Sequence, residues 1–201
     1  MLAPGILAER QLARDAFDES PAVVRLADAA MDRYACGDDD AFGEVYDEVA
    51  PRLRAFLLRQ TRNAHRTDDL LQQTFLQIHA ARSSFQSGAA VTPWAFAIAR
   101  RLLIDGLRRT RNECSYQEDS EEHQQRSRDL LPDEVVQTKQ AATLLASVLA
   151  RIPEGQRLAF ELLKYDGLTL AEAAEVLGTT VNAVKLRAHK TYEALRAALR
   201  G

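Results

Sequence analysis

The chain has 201 residues, 46% of them hydrophobic and 27% charged, enough for one large or two small domains with a packed core. Its net charge of −3 speaks against a uniformly basic nucleic-acid binder, no apolar run reaches membrane-spanning length, and the start MLAPGILAERQLARD is too charged to read as a signal peptide. Sparse aromatics and the lack of alternating β-branched runs predict an all-α protein, and the distant Cys36 and Cys114 read as reduced thiols in a cytoplasmic protein.

Residues 1–34 carry a net −2 and two helical patterns broken at Ser20-Pro21. Ile6, Leu7, Leu12 and Phe17 share one face, and Val23, Val24, Leu26, Ala27, Ala30 and Met31 another. Both a frayed extension and a partner-binding or autoinhibitory arm fit this stretch. Asp38-Asp39-Asp40 then precedes a long helical pattern through Phe42, Val45, Tyr46, Val49, Leu53, Phe56 and Leu57. Consecutive helical residues diverge, so the three acids suit a helix N-terminus better than a metal. Pro51 predicts a kink or break.

Thr67-Asp68-Asp69 is expected to open the next helix, with Leu71, Phe75 and Ile78 inward, Leu70 and Leu76 beside them, and Asp68, Asp69, Gln72, Gln73 and Gln77 polar. A loop from Ser83 to Ala90 contains Phe85, Gln86 and Ser87. Thr92 as cap and Pro93 at the first helical position then predict a helix over 94–109, packed through Ala97, Ile98, Leu102 and Ile104. Its second half carries Arg100, Arg101, Arg108 and Arg109, followed by Arg111. That exceeds what a helix dipole needs. Arginines beside Phe85 and Trp94 are what a single-stranded nucleic-acid surface requires: charge along the backbone and rings on which bases stack.

Residues 113–135 carry two basic against eight acidic side chains and no helical periodicity, the composition of a flexible linker. The flanking blocks are mildly basic, +2 over 35–112 and +3 over 136–201. In the last block Leu144, Leu145, Val148 and Leu149 give one helix, and Pro153 starts another carrying Leu158, Ala159, Phe160, Leu162 and Leu163, ended by Tyr165-Asp166-Gly167. The stretch TLAEAAEVLGTTVNAVKLRAHK follows. Thr169 and Glu172 have capping-box spacing, Leu170, Ala173, Ala174 and Leu177 form one stripe, and Gly178 stands where a helix end favours positive φ. Thr179 or Thr180 caps a second helix, which runs on through Tyr192, Leu195 and Leu199. Val181, Val184 and Ala188 are expected inside, leaving Asn182, Lys185, His189 and Lys190 outside with Arg187 beside them. This is a helix-turn-helix whose second helix suits a DNA major groove.

Three stretches, DDLLQQTFLQIH, SSFQSGAAVTPWAFAIARRLLIDGLRR and LARIPEGQRLAFELLKYDGLTLAEAAEVLGTTVNAVKLRAHKTYEALR, together resemble bacterial RNA polymerase sigma factors of the sigma-70 family, extracytoplasmic-function (ECF) group. The resemblance covers roughly Asp38 to Arg111 and Val136 to Arg200. It implies two helical domains, 35–112 and 136–201, joined by the linker 113–135 and preceded by the extension 1–34. It also implies core RNA polymerase as partner, through the β′ clamp helices and β flap, with Asp68, Asp69, Leu70, Gln72, Gln73 and Phe75 on the clamp-binding helix. Phe85, Gln86, Ser87 and Trp94, with Arg100, Arg101, Asp105, Arg108 and Arg109, would open and read the minus-ten element as a melted strand. Thr179, Thr180, Asn182, Lys185, Leu186, Arg187, His189 and Lys190 would read the minus-thirty-five element as duplex. An anti-sigma factor is a further implied partner; no cofactor, metal or catalytic residue is.

The chain departs from the family pattern in three places. Gln73 stands where an acid is common, Arg101 where Asn is frequent, and Leu186 where Ser often follows the recognition-helix basic residue, offering an apolar contact to a thymine methyl. An alternative is a helix-turn-helix regulator with a helical sensor domain, which would dimerise on a palindrome and leave the Arg-rich helix and Gln72-Gln73 without a role. A metal-dependent DNA-processing enzyme built on Asp38–Asp40 would need a second ligand cluster, and His65, His79, His123 and His189 are scattered.

Overall fold

A computed structural model describes residues 26–114 and 147–200, with side chains through Arg108 and Ala198. The apolar patterns expected before Leu26, the acidic segment from residue 115 on, and Leu144 and Leu145 lie outside the described residues, as do the side chains of Arg109, Arg111 and Leu199. The chain divides into two compact units, one within Val24–Pro132 and the other including Asp133–Gly201. All regular structure among the described residues is helical.

The first unit contains α1 (Leu26–Ala35), α2 (Ala41–Thr61), α3 (Ala64–Ala81), a 3-10 turn (Arg82–Ser84) and α4 (Val91–Cys114). Ala27, Ala30, Met31 and Tyr34 recur at helical spacing and are buried as α1 packs on α2 and α4. The centre is a Phe56–Phe96 ring pair at 5.2 Å, with Leu53, Leu57, Ile78 and Val91 fully buried around it. Burying each such side chain contributes about 1.5–3 kcal/mol, so this cluster dominates the unit.

Four local expectations are corrected. α2 runs through Pro51 without a break: Pro51 is exposed, so the carbonyl it leaves unpaired faces water while Val49, Ala50 and Leu53 stay packed. The three acids do not cap α2 through their side chains; Asp40 makes no cap bond, and Asp38 and Asp39 pair with Arg33 (3.9 Å) and Arg82 (3.4 Å). α3 begins a turn before Thr67, because Arg62 at φ +52° ends α2 and Asn63 accepts the Arg66 N–H at 3.0 Å. Thr67 is instead buried and bonds back to the Asn63 carbonyl. Finally, Thr92 is not the cap of α4. Its hydroxyl is buried with no hydrogen-bond partner among the described residues, and the buried face is Ala95, Phe96, Ala99 and Leu103. Ala97, Ile98, Leu102 and Ile104 flank that face, half-buried.

The second unit has helical residues 147–151, then α5 (Glu154–Lys164), α6 (Leu170–Leu177) and α7 (Val181–Arg200). Leu149, Ile152, Phe160 and Leu195 form one buried cluster that ties α7 to the helices before it. The capping box is present: Thr169 Oγ1 accepts the Glu172 N–H at 3.2 Å, and Glu172 Oε2 accepts the Thr169 N–H at 2.7 Å. Gly178 at φ +60° closes α6 in a Schellman turn, its N–H reaching the Glu175 carbonyl and the Thr179 N–H that of Ala174. Thr180, rather than Thr179, caps α7 by accepting the Ala183 N–H at 3.2 Å.

Candidate nucleic-acid interface

In the second unit the candidate surface is the outer face of α7. Val184, Ala188, Thr191 and Leu195, spaced by four, three and four, are its buried stripe. Val181 was expected on that stripe and is not: in the first turn it is 40% exposed. Asn182, Lys185, His189 and Lys190 are exposed, Arg187 is half-buried, and Leu186 is 56% exposed, opposite the stripe. Thr180 is exposed and Thr179 half-buried at the N-terminus. The face offers ammonium, amide and imidazole groups around an apolar centre at Leu186, next to a helix end whose dipole favours phosphate.

In the first unit the candidate strand surface is the segment from Phe85 to Arg108. The Phe85 and Trp94 rings lie 5.1 Å apart at 56°, both half-buried, so they form one pair with edges open to solvent. Gln86 and Ser87 are exposed at the loop tip. Arg101 and Arg108 are exposed along α4, whereas Arg100 and Asp105 are half-buried and the Arg100 Nε is enclosed without a hydrogen-bond partner among the described residues. Arg101 and Arg108 therefore offer freely reachable charge, and Arg100 a partly held one. The Arg109 side chain lies outside the described residues.

The face expected for polymerase divides in two. Asp68, Asp69, Gln72 and Gln73 are exposed on α3, Asp68 paired with Arg54 at 2.9 Å and Asp69 with His65 at 3.1 Å. Such exposed pairs stabilise by at most about 1 kcal/mol and break readily for a partner. Leu70 and Phe75 are buried, so Leu70 holds the helix rather than offering a contact.

Phe75 does more, because it floors a groove of about 650 Å³ that pattern reading alone does not bring out. Its ring lies 4.6 Å from Tyr46 and 6.0 Å edge-on from Phe42, and Tyr34 continues the row 5.3 Å from Phe42. Leu76, 61% exposed, and Gln72 stand on the rim. The Tyr34 hydroxyl is hydrogen-bonded to His79 Nδ1, and the Arg82 guanidinium covers the Tyr34 ring at 5.1 Å. The missed signal was width: on α2 the apolar residues Phe42, Val45, Tyr46 and Val49 cover more than one face, and the surplus faces this groove. Nearby, the Glu44 carboxylate, hydrogen-bonded to Arg33 at 2.6 Å, raises the Arg33 pKa further above its ordinary value.

No group of three or more His, Cys, Asp and Glu side chains at metal-binding distances occurs among the described residues, and no described helix is long and apolar enough to cross a membrane.

Comparison with known proteins gives a consistent result. Residues 45–113 match the family described as Sigma-70 region 2, and residues 142–195 match Sigma-70, region 4. The chain is 35% identical over 173 residues to the ECF RNA polymerase sigma factor SigF of Caulobacter vibrioides, spanning 86% of this chain and 93% of that one. It is 32% identical over 166 residues to the RNA polymerase sigma factor CarQ of Myxococcus xanthus, spanning 83% and 93%. Among solved structures, the sigma factor RpoE of Bartonella quintana, crystallised with the anti-sigma factor NepR, superposes with a TM-score of 0.60 at 22% identity, covering 79% of this chain and 96% of that one.

Proposed function

We infer the task of each surface from one fact: the chain belongs to the ECF group of the bacterial sigma-70 family. It is a sigma factor that binds core RNA polymerase and directs promoter recognition, DNA melting and transcription initiation. The alternative of a regulator with a helical sensor domain is not favoured, because the stretch that would be the sensor matches Sigma-70 region 2. The reading gives the chain no catalytic step of its own and places its work in the cytoplasm, where the polymerase is.

The division of labour is as follows. The domain over 35–112 docks on the β′ clamp helices through Asp68, Asp69, Gln72 and Gln73, and the aromatic groove floored by Phe75 receives apolar side chains from that partner. The same domain traps the melted minus-ten strand on the Phe85–Trp94 pair, with Arg101 and Arg108 along the phosphates. The domain over 136–201 reads the duplex minus-thirty-five element through α7 and meets the β flap. Residues 113–135 link the two. Because the related RpoE was crystallised with an anti-sigma factor, an inhibitor of that kind is proposed here as well.

The observation that carries the reading is the pairing, within one unit, of a tilted Phe–Trp ring pair at a loop with exposed arginines on the following helix. A duplex-only reader has no use for stacking surfaces, whereas each base stacked on an aromatic ring contributes about 1–3 kcal/mol towards holding an opened strand. The test is retention of core polymerase on the immobilised chain, followed by transcription from a promoter selected with the holoenzyme. Failure to bind core, or transcription that does not depend on the chain, would overturn the reading.

A further inference from the structure

Two carboxylates one turn apart on α1 reach across to the segment that joins the 3-10 turn to α4. Asp32 accepts the Gly88 N–H with both oxygens, at 3.1 and 3.3 Å, and Asp28 Oδ1 accepts the Val91 N–H at 2.8 Å. Neither bond belongs to a helix or to a local turn; they span 56 and 63 residues of sequence. Their spacing of four puts both aspartates on one side of α1, and the buried Ala27, Ala30, Met31 and Tyr34 fix that helix on the unit.

We propose that Asp28 and Asp32 are positioning residues for promoter opening: they hold the 85–91 loop, and with it Phe85, in the conformation that receives the melted strand. This rests on the strand-capture reading of Phe85. Three anchors then define the loop: the Phe85 ring on Trp94, the Gly88 N–H on Asp32, and the Val91 N–H on Asp28. Between them Gly88 sits at φ +78°, and the Ala89 N–H bonds to the Gln86 carbonyl at 3.0 Å, a tight turn that cannot hold its own place.

The energetic logic is preorganisation. A loop ordered only on meeting DNA loses conformational entropy at that moment and captures the strand more weakly; a loop already ordered does not. The Asp32–Gly88 bond is at the surface and ties the loop to α1 outside the core, so its loss should act on the loop rather than on the fold.

The test uses holoenzyme reconstituted from the full chain and core polymerase, with permanganate reactivity reporting melting and band shifts reporting closed complex. Asp32→Ala should slow melting about tenfold, the scale of losing one charge-assisted hydrogen bond, while core affinity and closed-complex affinity stay within about twofold. Asp32→Asn keeps an acceptor oxygen and should recover most of the rate. Asp28→Asn should likewise melt faster than Asp28→Ala. Wild-type melting by Asp32→Ala, a parallel fall in core affinity, or Asn as defective as Ala would each overturn the proposal. Phe85→Ala separates the two readings. If it melts normally, strand capture itself is wrong; if it is defective while Asp32→Ala is normal, only the brace is wrong.

Discussion

Lys185 and Lys190 are both exposed on the same helix yet are expected to fail differently when truncated. Both side chains are exposed, and neither holds α7 in place, since its packing runs through Val184, Ala188, Thr191 and Leu195. Lys→Ala in an exposed helix is close to neutral for folding, within a few tenths of a kcal/mol. Any larger loss of promoter binding therefore belongs to the DNA. Lys185 lies within the first two turns of α7 beside Leu186, where a recognition helix meets base edges, so Lys185→Ala should cost about 1–3 kcal/mol at one base pair, about five- to 150-fold. Lys190 lies more than a turn further on and suits the backbone. Its loss should weaken binding to every sequence and lower the salt slope by about 0.9, so that between 50 and 200 mM salt the penalty shrinks about three- to fourfold. The assay is binding of each holoenzyme variant to a panel of single-base minus-thirty-five variants at both salt concentrations. An even loss across the panel for Lys185→Ala would make it a phosphate contact and refute this reading of the helix.

Other outcomes follow from the same geometry. Phe85→Ala should reduce permanganate-detected melting more than closed-complex formation, since it removes one ring of the pair while leaving Arg101 and Arg108 in place. Charge reversal at Asp69 combined with Gln73→Lys should abolish retention on core polymerase without changing the circular-dichroism melting curve, because both positions are exposed. Gly178→Ala should lower the stability of the full chain by about 1–2 kcal/mol in urea titration and Gly178→Asn by less: a Cβ there meets nothing within 4 Å, so the cost is the left-handed backbone alone. Gly43→Ala, in the first turn of α2 with open space around it, should instead stabilise by about 0.5–1 kcal/mol in the same measurement.

Helix identity and the helix-turn-helix were legible in the sequence because their signals are local. Thr169 with Glu172, Gly178 and Thr180 each state a rule about one turn of backbone, and the structure has a bond or a dihedral for each. Apolar stripes were legible on the short α6, whose Leu170, Ala173, Ala174 and Leu177 are all buried. They misled on α4, which packs against several helices: Ala95, Phe96 and Ala99 are buried while the larger Ile98 and Leu102 only flank the contact. Small residues let helices approach closely, and hydrophobicity counts undervalue them. The start of α3 was missed because Asn63, a turn earlier than expected, is the local cap, and that of α4 because a long-range partner replaced one. Thr92 has the right chemistry for a cap, but Asp28, 63 residues earlier, holds the first turn of α4. No window along the chain can show that.

The residues that break the rule of apolar inside and polar outside fall where contacts with partners are proposed. Leu186 and Val181 lie in the first two turns of α7, Leu76 and Tyr46 at the aromatic groove, and all four are exposed. Leu186 and Leu76, more than half exposed, fill no core, while Tyr46 keeps part of its ring on Phe75. Exposing apolar surface costs solubility, and we propose that burial against a partner offsets it. For α7 the proposed burial is small, a methyl-sized contact that would discriminate one base. At the groove the proposed burial is larger: covering the parts of Leu76 and Tyr46 still exposed, 61% and 41%, would contribute about 0.5–2 kcal/mol each, comparable to what exposed pairs such as Arg54–Asp68 and His65–Asp69 supply. We propose that the charges on α3 and the aromatic groove beside them share the docking on polymerase, the charges setting its orientation and rate.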